Sequence, residues 1–204
     1  MIRTYLLFII LLLFCVFPLS AQTFGGGFLA GASLSQLDGD SWGGYHKVGI
    51  TAGAYTFTQL NKYVKAQLEL RYTEKGSKSN SKDPSVFYQS RLNYIEAPLM
   101  LKYSFLQKMN ADIGLAAGYL VKGTEDDGYG ELEADPPFKP YELSLLIGIQ
   151  YQVLEKVHVN LRLNYSVLPV GDHPGGQTWL FNRGQYNNVL TFSVYYQWAN
   201  FDRK

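Results

Sequence analysis

Residues 63–73 read YVKAQLELRYT, and residues 93–103 read NYIEAPLMLKY. In the first stretch Val64, Ala66, Leu68, Leu70 and Tyr72 take alternate positions, with Lys65, Gln67, Glu69, Arg71 and Thr73 between them. In the second, Ile95, Ala97, Leu99, Leu101 and Tyr103 alternate with Tyr94, Glu96, Pro98, Met100 and Lys102. A third stretch, KVHVNLRLNYSV at 156–167, sets Val157, Val159, Leu161, Leu163, Tyr165 and Val167 against His158, Asn160, Arg162, Asn164 and Ser166. An amphipathic helix needs apolar residues three and four apart, whereas these stretches repeat every two. Each reads as a strand with one apolar and one polar face.

Five weaker segments share the pattern, at 24–34, 47–58, 110–122, 141–153 and 188–198, several of them blurred by glycine. Glycine relieves crowding where barrel strands bend or tilt past one another. The connections between the resulting eight strands alternate in length: 35–46 long, 59–62 short, 74–92 long, 104–109 short, 123–140 long, 154–155 short and 168–187 long. In an up-and-down meander every second connection lies at the same end, so the long loops gather on one side and the tight turns on the other. The expected fold is all-β, an eight-stranded antiparallel up-and-down transmembrane β-barrel occupying residues 22–204.

The N-terminus places the barrel in a compartment. Arg3 precedes an almost wholly apolar run from Tyr5 to Leu19, which ends in Leu19-Ser20-Ala21-Gln22. That order reads as an export signal over residues 1–21, cleaved between Ala21 and Gln22. The single cysteine, Cys15, and Arg3 leave with it, so the exported chain has no thiol chemistry and its formal charge falls from +1 to zero. A neutral chain has no global electrostatic pull toward nucleic acid. Sixteen Tyr, twelve Phe and three Trp favour β structure, and downstream no run approaches the length of a membrane helix.

The polar faces hold Glu69, Arg71, Glu96, Lys102, Glu142 and Arg162. Facing lipid these charges would stand unsatisfied, while inside a barrel of eight strands they can pair and fill the lumen. They are expected to form an interior ion-pair network that plugs the barrel. Tyr72, Tyr119, Tyr141 and Tyr165 are expected in the outer interfacial girdle, with Phe57, Tyr63, Tyr103, Tyr151 and Trp198 in the inner one. Pro98, lacking an N–H, predicts a bulge or a local break in its strand's ladder.

The stretches QLELRYTEKGSK at 67–78 and LNYIEAPLMLKYSF at 92–105 resemble the core signature of the PorT-like outer-membrane β-barrel family, common in Bacteroidota. Glu69, Leu70, Tyr72, Gly76, Tyr94, Glu96, Pro98, Leu99, Lys102 and Tyr103 occupy the signature's places. GASLSQLDGD at 31–40 is similar to the family's first strand and loop, though Ser33 stands where Asn is usual, and LRLNYSVLPV at 161–170 resembles its seventh strand. The resemblance implies an outer-membrane barrel, and its namesake implies a part in secretion. Such barrels close on an aromatic residue; here 199–204 extends past Trp198, leaving Trp198 or Phe201 for that role.

Any specific activity would lie in the loops. The one after the third strand is basic, with Lys75, Lys78 and Lys82, and reads as a solvated loop or a partner of its acidic neighbour, with lipopolysaccharide phosphates as the alternative partner. The one after the fifth is acidic, with Glu125, Asp126, Asp127, Glu131, Glu133 and Asp135, but has no EF-hand spacing for calcium. Asp172-His173 invites a hydrolase reading, yet no serine or cysteine sits in a recognisable nucleophile turn. No catalytic, cofactor-binding or metal residue is assigned. The residues leave two readings: a non-enzymatic structural or accessory barrel in an envelope or secretion complex, surrounded by outer-membrane lipid, or a barrel that binds a ligand or passes a small solute.

Overall fold

A computed structural model describes residues 24–40, 42–80, 87–134, 137–172 and 184–199. The proposed signal segment with Ala21 and Gln22 lies outside these residues, as do Lys82, Asp135, His173 and Phe201. Nine strands follow one another: β1 Phe24–Asp38, β2 Lys47–Gln59, β3 Val64–Lys75, β4 Gln89–Leu106, β5 Met109–Asp126, β6 Glu131–Glu133, β7 Tyr141–Leu154, β8 Val157–Ser166 and β9 Tyr186–Ala199. All pair antiparallel. β1 pairs with β9 from Asp38↔Tyr186 to Gly26↔Ala199, which closes the sheet into a barrel of eight strands. β6 stands outside the ring and pairs only with β5.

The tight turns are built locally. Between β2 and β3 the Asn61 side chain accepts the N–H groups of Tyr63 and Val64 at 2.9 and 3.0 Å, an arrangement that holds a short reversal. At the opposite end the wall climbs further than the alternation predicts. β4 starts at Gln89 rather than Asn93 and β5 runs to Asp126 rather than Lys122, and the two stay paired past a bulge at Asn93/Tyr94. Above the membrane both faces of a strand are polar, so the hydrophobic pattern stops while the hydrogen-bond ladder continues. Lys75, expected in a basic loop, is for this reason the last residue of β3.

Pro98 interrupts the ladder between β3 and β4. Leu68↔Leu99 and Arg71↔Glu96 pair on either side of the gap with the register unchanged, so the effect is a break and not a bulge. Having no N–H to give, Pro98 cannot complete the ladder, whereas β4 still pairs with β5 through Pro98↔Ala116.

The burial pattern is inverted relative to a water-soluble protein. Leu70, Leu99, Ile113, Ile147 and Phe192 lie on the outside with about half of their surface exposed, while Glu69, Arg71, Glu96 and Arg162 are buried. Only a lipid surround makes such an exterior favourable. Near the long-loop end Tyr119 packs against Tyr141 and Tyr165 stacks on Tyr186; near the other end Tyr63 meets Tyr103 and Phe28 meets Trp198. Phe57 does not belong to the inner girdle. It shares its side of β2 with Tyr55, stacks on that ring inside the barrel and carries the Lys65 ammonium over its face at 5.2 Å.

Candidate functional site

The inward positions of β3, β4, β5, β7 and β8 deliver one connected set of charges. Lys75 Nζ donates to both oxygens of Glu142, at 2.8 and 2.9 Å, and lies 2.6 Å from Glu96. Glu96 also accepts from Arg71 Nε and from the Thr73 hydroxyl, each at 2.8 Å. Arg71 lies 3.8 Å from Glu69, which accepts two N–H groups of Arg162 at 3.0 and 3.1 Å. Arg162 continues to Asp112 at 2.9 Å, and Lys102 lies 3.8 Å from the same carboxylate. Glu96, Glu69 and Asp112 thus each bridge two cations, and the chain of pairs runs unbroken from Lys75 to Lys102.

Neutral groups complete the set. Gln67 and the Tyr195 hydroxyl donate to Glu69 at 2.7 and 3.1 Å, Asn187 donates to Glu142 at 3.0 Å, and Asn160 donates to Asp112 at 3.2 Å. Lys75 sits 4.8 Å over the Tyr94 ring, and Lys102 5.4 Å over that of Tyr195. Four bases and four acids are engaged, so the ladder is neutral as a whole. Charges taken out of water persist only when paired and hydrogen-bonded in this way. Gly148 makes the room: a side chain there would press on Asp112 Oδ2 at 3.1 Å and Arg162 Cβ at 3.2 Å.

The barrel brings Glu69, Arg71, Glu96, Lys102, Glu142 and Arg162 together in this ladder. Sequence reasoning missed Lys75 and Asp112. Lys75 lay past the end of the alternation. Asp112 sits on β5, where the inward neighbours are Gly114, Ala116 and Gly118. Its signal was that it is the one charge on a face otherwise kept small. On the outer side of the ladder Leu37, Leu92, Tyr94, Ala134, Phe138 and Val170 form an apolar cap, the last three brought in from loops.

The loops distribute their charges. Asp126 accepts the N–H groups of Gly128 and Gly130 and so shapes the turn before β6, Glu125 accepts the Tyr88 hydroxyl at 2.7 Å, and Glu131 pairs with Arg91 and Lys122. Among the described residues no three metal-ligating side chains converge. Asp172 lies 3.5 Å from Lys139.

Residues 20–170 match the family model of the outer membrane protein beta-barrel domain. The chain belongs to this family. It is an outer-membrane protein, and the exposed apolar wall is the face it turns to lipid. Among solved structures it is similar to neisserial surface protein A, NspA, with 15% identity, TM-score 0.57, and coverage of 85% of this chain and 97% of that one. It is also similar to Ail, the attachment invasion locus protein of Yersinia pestis, solved in complex with the heparin analogue sucrose octasulfate: 12% identity, TM-score 0.53, 86% of this chain and 99% of that one. At these identities the likeness is one of fold. No curated protein sequence matches the chain.

Proposed function

We propose that this small outer-membrane barrel is closed and non-catalytic, of the PorT-like kind, and that it serves as a structural or accessory component of an envelope or secretion complex. The observation that carries this reading is the unbroken ladder from Lys75 to Lys102 beneath the apolar cap of Phe138 and Val170. A neutral ladder offers no net field to draw an ion inward. Every carboxylate in it is already paired, so passing a solute would break buried pairs, each at a cost of about 3–5 kcal/mol.

The signature at 67–78 and 92–105 supports the PorT-like assignment and, through it, a link to secretion. The same reading includes an export signal removed between Ala21 and Gln22, which a mature N-terminus at Gln22 by mass spectrometry would test. With the lumen filled, work is left to the parts that face outward, in contact with other envelope proteins. The reading calls for no cofactor and no nucleic acid.

Planar lipid bilayers decide between this reading and the rival of a barrel that passes a small solute. The purified protein is expected to insert without conductance steps. Steady conductance of the wild-type protein would sink the plugged-barrel reading. Cross-linking in the intact outer membrane is expected to trap the protein with envelope partners, and its recovery only as a lone chain would count against the accessory role.

A further inference from the structure

The outer rim carries charges that the ladder does not use. The ladder of hydrogen bonds between β2 and β3 ends at Thr51↔Thr73, and just above it Glu74 accepts the Ile50 N–H at 3.4 Å and the Tyr72 hydroxyl at 3.3 Å. Beyond that point a cavity of about 350 Å³ opens at the rim, lined by Lys47 from the buried face of β2 and by Glu74, Arg91, Asn93, Lys122 and Glu131 among others.

Lys47 is the informative residue. It is only 6% exposed, and among the described residues its ammonium donates to one partner, the carbonyl of the adjacent Val48 at 2.9 Å. Each base of the interior ladder has at least one carboxylate within 4.0 Å, whereas no ion pair of Lys47 is found among the described residues. A buried ammonium with donors to spare calls for an anion.

The height of the cavity says where that anion comes from. Glu74 is the next outward position after Tyr72 on β3, and Asn93 and Arg91 follow Ile95, the partner of Tyr119, on β4. At about 3.3 Å per residue, the charged lining begins roughly 7–13 Å along the strands beyond the tyrosine girdle. That is the level of lipid headgroups. A second cavity of about 270 Å³ shares Lys122 and Thr124 with the first, and Leu120, Val121, Pro137 and Phe138 line it together with Glu133. A charged pocket beside one with an apolar wall of Leu120, Val121, Pro137 and Phe138 suits an amphiphile.

We propose that the rim pocket binds the phosphate group of a phosphorylated outer-leaflet lipid, with Lys47 at its floor and Arg91 and Lys122 at its mouth. Cations from β2, β4 and β5 converge there, and a phosphate has three oxygens to share among them. Glu131 on β6 holds Arg91 and Lys122 at the pocket and stands in for the ligand. Binding exchanges its carboxylate for the phosphate. This site is independent of whether the lumen conducts.

The test uses the full-length protein in detergent, titrated with bisphosphorylated lipid A and followed by native mass spectrometry, with heat-modifiable gel migration to certify folding. Lys47→Met, which keeps the apolar stem, and Arg91→Gln are each expected to weaken binding about tenfold. Glu131→Gln is expected to tighten it, whereas Asp127→Asn, in the turn before β6 and in the lining of neither cavity, and Lys139→Gln leave it unchanged. Dephosphorylated lipid A is expected to bind at least tenfold more weakly than the bisphosphorylated form. The site is refuted if folded Lys47→Met binds like wild type, or if Glu131→Gln and Asp127→Asn shift affinity equally, as bulk charge would dictate. Equal affinity for the dephosphorylated lipid refutes phosphate recognition, and inorganic phosphate bound as tightly as the lipid refutes the lipid source.

Discussion

The interior and the outer rim of this barrel are both rich in charge, and they use it in opposite ways. In the interior, Glu69, Glu96 and Asp112 each bridge two bases, all fully buried, and acids balance bases. At the rim Arg91, Lys122 and Glu131 keep 47, 61 and 31% of their side-chain surface, and among the described residues no carboxylate oxygen lies within 4.0 Å of the Lys47 ammonium. A charge locked between two partners in low dielectric is structural, because moving it costs more than any ligand returns. A charge half in water is cheap to rearrange. The difference separates what holds the barrel together from what is free to meet something outside it.

The largest effect should come from breaking the ladder at its centre. Arg162→Leu removes the nearer base of both Glu69 and Asp112 and leaves these buried carboxylates only Arg71 and Lys102, each at 3.8 Å. The expected loss is about 3–5 kcal/mol, read as a lower urea midpoint for unfolding from lipid vesicles. A loss below about 1 kcal/mol, the value of a surface pair, would erase the contrast between interior and rim.

The next effect sharpens the comparison by putting a charge on the wrong side of the same wall. Leu99 is 60% exposed and lies midway along the lipid-facing residues of β4, between Ile95 and Tyr103. Leu99→Arg is expected to cost about 2–4 kcal/mol in the same vesicle assay, the range for a cation at the bilayer midplane. One face of β4 thus requires Glu96 and Lys102 while the other rejects a guanidinium. A change of less than about 0.5 kcal/mol would mean that this face does not meet hydrocarbon.

That two-sidedness is why so much of the wall was legible in the sequence. For β3, β4 and β8 the alternation alone assigns Glu69, Arg71, Glu96, Lys102 and Arg162 to the inside, because lipid and a packed lumen impose opposite demands on neighbouring residues. Legibility ended where one of the two demands ended. Past the tyrosine girdle nothing requires apolar residues, so Lys75 and the β4 and β5 extensions passed for loop. On β5 the small residues Gly114, Ala116 and Gly118 made no pattern, which hid Asp112. Phe57 was misplaced because an aromatic near a strand end suits a girdle, and only its shared side with Tyr55 on β2 turns it inward. The rim pocket was beyond reach for another reason: it joins residues from β2, β3, β4, β5 and β6 whose proximity depends on where the β2–β3 ladder stops and on a hairpin that folds back.

The smallest effect falls at the rim. Arg91→Gln removes one side of a half-exposed pair with Glu131, and Lys122 remains at 3.7 Å to hold that carboxylate. The expected change in the urea midpoint corresponds to about 0–1 kcal/mol, since exposed pairs gain little over their separate hydration. Stability and ligand affinity should therefore come apart here, with affinity for phosphorylated lipid falling while the barrel holds. If instead Arg91→Gln destabilised the barrel as much as Arg162→Leu, the rim pair would be a strut like those below it. Glu131 would then be a fixture and not a placeholder, and the freedom that sets the rim apart from the interior would be gone.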